Sequence, residues 1–219
     1  MAEPILTITD LWYGYSAKSY ILRGISLTVL RGEYVSIAGE NGCGKSTFLK
    51  LILGFLKPQR GSITCTASRV GYVQQKTDYS GDEYPITVLE MLTSYCGICR
   101  VPKSEAMESL AMTGLELQRN SLLGDLSGGQ LQKALISRAL IGSPELVILD
   151  EPSTGIDNAS SKEIYGILRG LSRERGVTVL TVEHNMLAAI ENSSAMFHIA
   201  QGHGHICTPE NYVKEYLGK

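Results

Sequence analysis

The apolar positions of the chain follow two periods. Short runs rich in β-branched residues read as strands: EYVSIA at 33–38, LVILD at 146–150 and VTVLTV at 177–182, each bounded by turn or capping residues. Elsewhere the apolar residues recur at helical spacing. STFLKLILGFL, from Ser46, predicts a helix that Pro58 and Gly61 bring to an end. Residues 159–175 predict another, closed by Gly176 just past its last turn. Strands alternating with helices predict a parallel sheet covered by helices. The middle of the chain breaks this rhythm. From Pro85 to Leu140 the pattern is mostly helical, with Thr87 and Glu90 at the spacing of a capping box and Gly114 and Gly142 where helices should stop. This predicts a helical subdomain inserted into an α/β core. Residues 1–35 and 60–75 read as short antiparallel strands. No internal repeat or low-complexity segment is evident.

Composition narrows the picture only modestly. At 219 residues the chain is long enough for one sizeable core, or a core with a subdomain. Hydrophobic residues make up 43% and charged residues 19%, as in an ordinary globular protein. A net charge of −2 gives no global electrostatic reason to expect nucleic acid or an anionic membrane as partner. The longest apolar runs are too short to span a bilayer. The opening MAEPILTITD lacks the basic and apolar regions of a signal peptide, so a cytoplasmic location is expected. The five cysteines are an odd number and are read as thiols.

Candidate chemistry begins at GENGCGKST, residues 39–47. Gly39, Gly44, Lys45 and Ser46 satisfy the G-x-x-x-x-G-K-[ST] pattern. A strand precedes it and an apolar helix follows, which is the context the pattern needs. Gly42 and Gly44 let backbone N–H groups turn inward, and with the positive end of the helix these form an anion site. Lys45 would neutralise the outer phosphates of a nucleotide, and the Ser46 hydroxyl would bind Mg²⁺. Downstream, LVILDE ends a buried-type strand in two carboxylates, Asp150 and Glu151. Carboxylates at such a position need a compensating charge. Asp150 fits a Mg²⁺ ligand, direct or through water. Glu151, pointing the other way along the strand, fits a general base. Taken alone, the glycine loop also reads as a tight strand-to-helix turn, and LVILDE as a plain strand end that starts a turn. A second glycine stretch, LSGGQ at 126–130, precedes a helical pattern and offers another anion site in Ser127, Gly128 and Gly129; its bland reading is a capped helix start.

With these motifs in this order, the sequence resembles the nucleotide-binding subunit of ABC transporters over essentially its whole length. The resemblance implies a P-loop NTPase (RecA-like) α/β fold, mostly parallel, with an N-terminal antiparallel β subdomain and an inserted helical signature subdomain. On that pattern residues 1–78 and 141–219 form the ATP-binding core and 79–140 the signature subdomain of a single ABC ATPase domain. It also implies ATP and Mg²⁺ as cofactors and a head-to-tail homodimer with ATP at the interface. Each ATP would lie between the phosphate loop of one copy, including Asn41, Cys43 and Thr47, and the Ser127–Gln130 segment of the other. Tyr15 matches the aromatic that stacks on adenine, with Tyr13 the runner-up. Gln75 in VGYVQQ matches the Q-loop amide that touches Mg²⁺ and the attacking water, although Gln74 stands where the family often has Pro. Asp157 in STGID resembles the residue that meets the partner copy. His184 in VEHN resembles the switch histidine on the γ-phosphate, and Lys133 replaces the usual arginine of the signature helix.

The implied partner is an integral membrane permease docked near residues 74–95, with an extracytoplasmic binding protein in the full system and no nucleic acid. The chain would then sit peripherally on the cytoplasmic face of the membrane. VEHNM and HIAQGHGHICTPENYVKEYLG are similar to subunits serving zinc or manganese uptake. In the latter stretch His203, His205 and Cys207 alternate along a strand, which allows metal ligation, but QGHGH reads more simply as a hairpin turn. Cys96 and Cys99 have redox or zinc spacing without a second pair and read as packing residues; a reachable Cys43 thiol would make ATP binding sensitive to alkylation. The competing reading is a non-transport ABC ATPase of repair, translation or assembly. The ~80 residues between the phosphate loop and LSGGQ are too few for a long coiled-coil arm.

Overall fold

The computed structural model of the chain describes residues 3–16, 19–75 and 85–217. Numbered in chain order, the strands are β1 Pro4–Tyr13, β2 Leu22–Leu30, β3 Tyr34–Ala38, β4 Arg60–Cys65, β5 Val70–Val73, β6 Leu146–Asp150, β7 Thr178–Val182, β8 Ala195–Ala200 and β9 His203–Cys207. The helices are α1 Lys45–Ile52, α2 Val88–Cys99, α3 Ser104–Thr113, α4 Gly128–Leu140, α5 Asn158–Arg175, α6 Met186–Asn192 and α7 Pro209–Tyr212, the last running into a π-helical turn, Val213–Leu217.

Two sheets organise these elements. An antiparallel sheet has the order β2-β1-β4, and a six-stranded sheet has the order β5-β6-β7-β3-β8-β9. All pairs in the larger sheet are parallel except the β8–β9 hairpin. Every residue of β3, β6 and β7 is buried, which explains their unbroken apolar runs: helices or strands cover both faces. The few hydroxyls inside pair with each other, as Ser36 does with Thr181 at 3.0 Å. One core joins the antiparallel sheet and α1 to the larger sheet, with Phe48 and Phe197 stacked at 5.5 Å between ring centres. A second lies on the opposite face under α4 and α5. A third belongs to the helices, where Val88, Leu92, Cys96, Leu110 and Ala134 pack together. Cys96 is therefore a packing residue within α2, and all five cysteines are free thiols.

Local sequence explains most element ends. Thr87 and Glu90 form the expected capping box at α2. Gly114 and Gly176 close α3 and α5 with φ of 64° and 67°. Two expectations need correction. The helix begun at Lys45 stops at Ile52, well before Pro58 and Gly61. Gly54 adopts φ 75°, its N–H reaches the Leu51 carbonyl at 3.1 Å, and the Phe55 N–H reaches that of Lys50 at 2.9 Å. This paired closure overrides the apolar pattern that continues past it. Residues 60–75 also divide between the sheets: β4 is antiparallel to β1, but β5 runs parallel to β6. At four residues, β5 carries too little pattern to announce its partner. The backbone of α4 lies directly on it, since a Cβ at Gly71 would sit 2.3 Å from the Ala139 carbonyl oxygen. No helix among the described residues is long and apolar enough to cross a membrane.

Candidate functional site

The loop between β3 and α1 is shaped by three glycines. Gly42 and Gly44 take φ of 80° and 107°, open only to residues without a side chain in practice. At Gly39 the constraint is contact, because a Cβ there would meet the Ile199 carbonyl oxygen at 2.3 Å. At Gly42 a Cβ would meet nothing within 4 Å, so the backbone conformation alone restricts that position. Lys45 is buried, and its ammonium donates to the carbonyls of Gly39 and Glu40 at 2.7 and 3.0 Å. Its charge is thus held over the loop, at the N-terminus of α1.

A cavity of about 360 Å³ opens there, lined by Ile21, Asn41, Gly42, Gly44, Lys45, Ser46, Thr47, Glu151 and His184. Residues more than a hundred positions apart in sequence therefore share one wall. Glu151 follows β6 directly and takes φ 52°, a strained backbone for a residue with a side chain. Its carboxylate is held on both oxygens: Oε1 against His184 Nε2 at 2.5 Å, Oε2 accepting from Gln75 Nε2 at 2.6 Å and from Thr154 Oγ1 at 3.0 Å. Gln75, rather than Gln74, makes this contact. No motif singles out Thr154, although its place three residues past Glu151 in a turn is a usable signal. Ile21 likewise lies on the cavity wall without a motif.

Asp150 is buried at the end of β6, and its Oδ1 has no hydrogen-bond partner among the described residues. Burial raises its pKa, the Glu151 charge adds to that, and His184 and Lys45 oppose it. An orphaned carboxylate oxygen in a buried setting suits a hard divalent cation. Tyr15 is 62% exposed and shares a hydrogen bond with Thr47 at 3.3 Å, which puts its ring at the rim of the loop. Tyr13 is half-buried against the core and meets Tyr15 edge to face at 5.3 Å. Residues 17–18 of the YSAKSYIL stretch lie outside the described residues, as do 76–84 of the expected permease-docking region.

The LSGGQ residues do not line this cavity. Ser127 caps α4 in a capping box with Gln130, its Oγ accepting from the Gln130 N–H at 3.3 Å. Gly129 is pressed against α5, where a Cβ would lie 2.5 Å from that of Ser160. Ser127 and Gly128 are exposed, so the helix start faces outward. Asp157 caps α5, accepting from the N–H groups of Ala159 and Ser160 at 3.0 Å each, and these bonds lower its pKa. Lys133 of α4 pairs with Glu163 of α5.

An anion cradle feeding a helix, with a lysine over it and carboxylates two strands away, is how P-loop nucleotide-binding proteins are built. The ABC transporter family profile matches residues 22–154. The chain belongs to that family, whose members hydrolyse ATP to power transport. It is 44% identical over 220 residues to a "Probable metal transport system ATP-binding protein" of Treponema pallidum (strain Nichols), covering 99% of this chain and 92% of the relative. It is 37% identical over 205 residues to the zinc uptake system ATP-binding protein ZurA of Listeria monocytogenes, covering 85% and 79%. Among solved structures, the dimeric bacterial ABC transporter cassette MJ0796 superposes with a TM-score of 0.78 at 25% identity, covering 93% of this chain and 98% of that one.

Proposed function

We propose that this chain is the ATP-hydrolysing subunit of a metal-ion uptake transporter, working as a head-to-tail dimer beneath a membrane permease. The observation that carries the reading is the Glu151 carboxylate, held by His184, Gln75 and Thr154 on the wall of the cavity that also contains Lys45 and Ser46. The loop N–H groups and Lys45 would bind the phosphates of ATP, with the Tyr15 ring stacked on adenine. Glu151 would take the proton from the attacking water. His184, already bonded to Glu151, would hold the γ-phosphate in line with it. Ser46, Asp150 and Gln75 would hold Mg²⁺. The ion would supply charge neutralisation on the phosphate oxygens.

The outward-facing start of α4 supports the dimer: Ser127, Gly128, Gly129 and Gln130, with Asp157 beside them, would complete the site of a second copy. We read 79–140 as the signature subdomain and the remainder as the ATP-binding core. Permease docking near 74–95 would place the chain on the inner face of the membrane, and an extracytoplasmic binding protein would deliver the ion. The names of the relatives favour zinc or a similar metal as cargo.

The test is Glu151→Gln. It keeps shape and hydrogen bonding but removes the base. ATP binding should persist and turnover should fall by about 10²–10⁴, the usual contribution of such a group. Turnover within twofold of the unaltered chain would refute the assignment.

A further inference from the structure

The β8–β9 hairpin turns at Gln201 and Gly202, with φ of 50° and 84°, as QGHGH suggests. Beyond the turn, strand β9 shows two different faces. Gly204 points inward, where a Cβ would strike the Phe197 ring at 2.2 Å. His205 and Cys207 therefore lie on the other face, beside their strand partners His198 and Met196. That face is covered by α7 and the π-helical turn after it: His198 meets the Tyr216 ring at 4.1 Å and the Tyr212 ring at 5.5 Å, and the Tyr212 and Tyr216 rings lie tilted against each other at 4.9 Å. This packing brings Glu215 over the strand, its Oε2 standing 3.7 Å from His205 Nε2.

One nitrogen, one sulfur and one carboxylate oxygen converge as a result. The ligand atoms of His205, Cys207 and Glu215 all lie within 4.8 Å of one another. The edge of a zinc tetrahedron built from ordinary Zn–N, Zn–O and Zn–S bonds is about 3.5 Å, so ion binding requires these side chains to draw closer together. The sequence alone points to His203, His205 and Cys207. The fold replaces His203 with Glu215, whose approach depends on the π-helical turn and cannot be read from strand alternation.

We propose that His205, Cys207 and Glu215 form a binding site for a thiophilic divalent cation of the zinc type. The donor set decides the class. Magnesium and calcium take oxygen ligands, whereas imidazole with thiolate selects zinc or its softer neighbours. Two side chains are exposed and Cys207 is half-buried, so an ion can enter, and a position remains open to water. The thiolate is the ligand form of Cys207, so binding must expel the thiol proton.

The site shares no residue with the phosphate loop but lies close to it in the sheet. His198 is registered between His205 on one side and Ala38, which precedes Gly39, on the other. A cavity of about 300 Å³ is lined by Gly39, His184, His198 and Tyr216, so the segment an ion would fasten also walls the space behind the nucleotide site. Resting on the transport reading above, the site gives the chain a contact with metal already imported.

Cobalt(II) is the probe, titrated into the purified full chain. One equivalent should bind with a thiolate-to-cobalt charge-transfer band, displaced by zinc and untouched by excess magnesium. Cys207→Ser should abolish the band. His205→Ala and Glu215→Gln should each weaken binding at least about tenfold, the loss already seen when a mere outer-shell partner is removed. In the unaltered chain zinc should shield Cys207 from iodoacetamide by mass spectrometry, a readout that needs no variant to fold. A missing band, a band retained in Cys207→Ser, or no shielding of Cys207 would overturn the site. ATP turnover of the same preparation tests the transport ATPase separately: turnover without cobalt binding defeats only the metal site, and cobalt binding without turnover defeats only the proposed function.

Discussion

Glu183 shows how much a single residue's chemistry depends on neighbours distant in sequence. It is 1% exposed, and its Oε2 accepts from the Tyr165 hydroxyl at 2.9 Å, while Oε1 has no partner among the described residues. Burial pushes its pKa up to about 8, from 4.5 for a solvated glutamate. The folded chain therefore keeps a proton that the unfolded chain releases above pH 4.5. Stability from this group is complete below that value and is lost as pH climbs toward about 8 and beyond. Glu183→Gln, which cannot ionise, should flatten that dependence. Urea unfolding should find it more stable than the parent at about pH 9 by on the order of 2 kcal/mol, with the difference shrinking or reversing at about pH 5. A parent with equal stability at both values would contradict the buried proton. Nothing in VTVLTVEH marks this glutamate as buried, because its cover is Tyr165 on α5. Asp150 and Glu151 are legible, because a strand ending in two carboxylates is unusual in itself. Their neighbours Gln75 and His184 are legible only through family likeness, and Thr154 only once the chain is folded.

At the level of elements, existence is easier to read than extent. The buried strands β3, β6 and β7 carry unbroken apolar runs, and α5 carries both its pattern and its terminal glycine. Pattern misplaces the end of α1 because a glycine closure outweighs several leucines. It misassigns strand β5 because four residues do not specify which edge they join. The packing of α4 on α5 is also hidden, since a glycine in a loop motif looks like a loop requirement. Gly129 instead serves as a packing residue, with Ser160 where its Cβ would be. Gly129→Ala should therefore lower stability by about 1–3 kcal/mol through overpacking, despite the helix preference for alanine. A thermal melt checks this. Gly128→Ala is the control, since its added Cβ would come no nearer than 3.7 Å to any neighbour. Equal melting temperatures for the two variants would remove the packing argument.

Across the whole molecule, the two glycine motifs point to separate places, and the proposed dimer unites them. That arrangement has an arithmetic consequence. A dimer of Lys45→Ala chains has no intact site, and neither has a dimer of Ser127→Arg chains. A mixed dimer has one. Random pairing of equal amounts should restore up to about a quarter of the unaltered turnover. Activity measured before and after mixing decides it; no recovery, with each variant still folded, would argue against composite sites. The close seat of α4 on β5 extends this logic to motion. With the Ala139 carbonyl pressed onto Gly71 there is no slack between the two, and close-packed interiors do not yield gradually. If the partner's ATP tugs on the head of that helix, the strand beneath it must travel along, carrying Gln75 toward or away from Glu151. In the proposed dimer the chain would thus have a ready-made linkage by which gripping one nucleotide arms or disarms the cutting of the other.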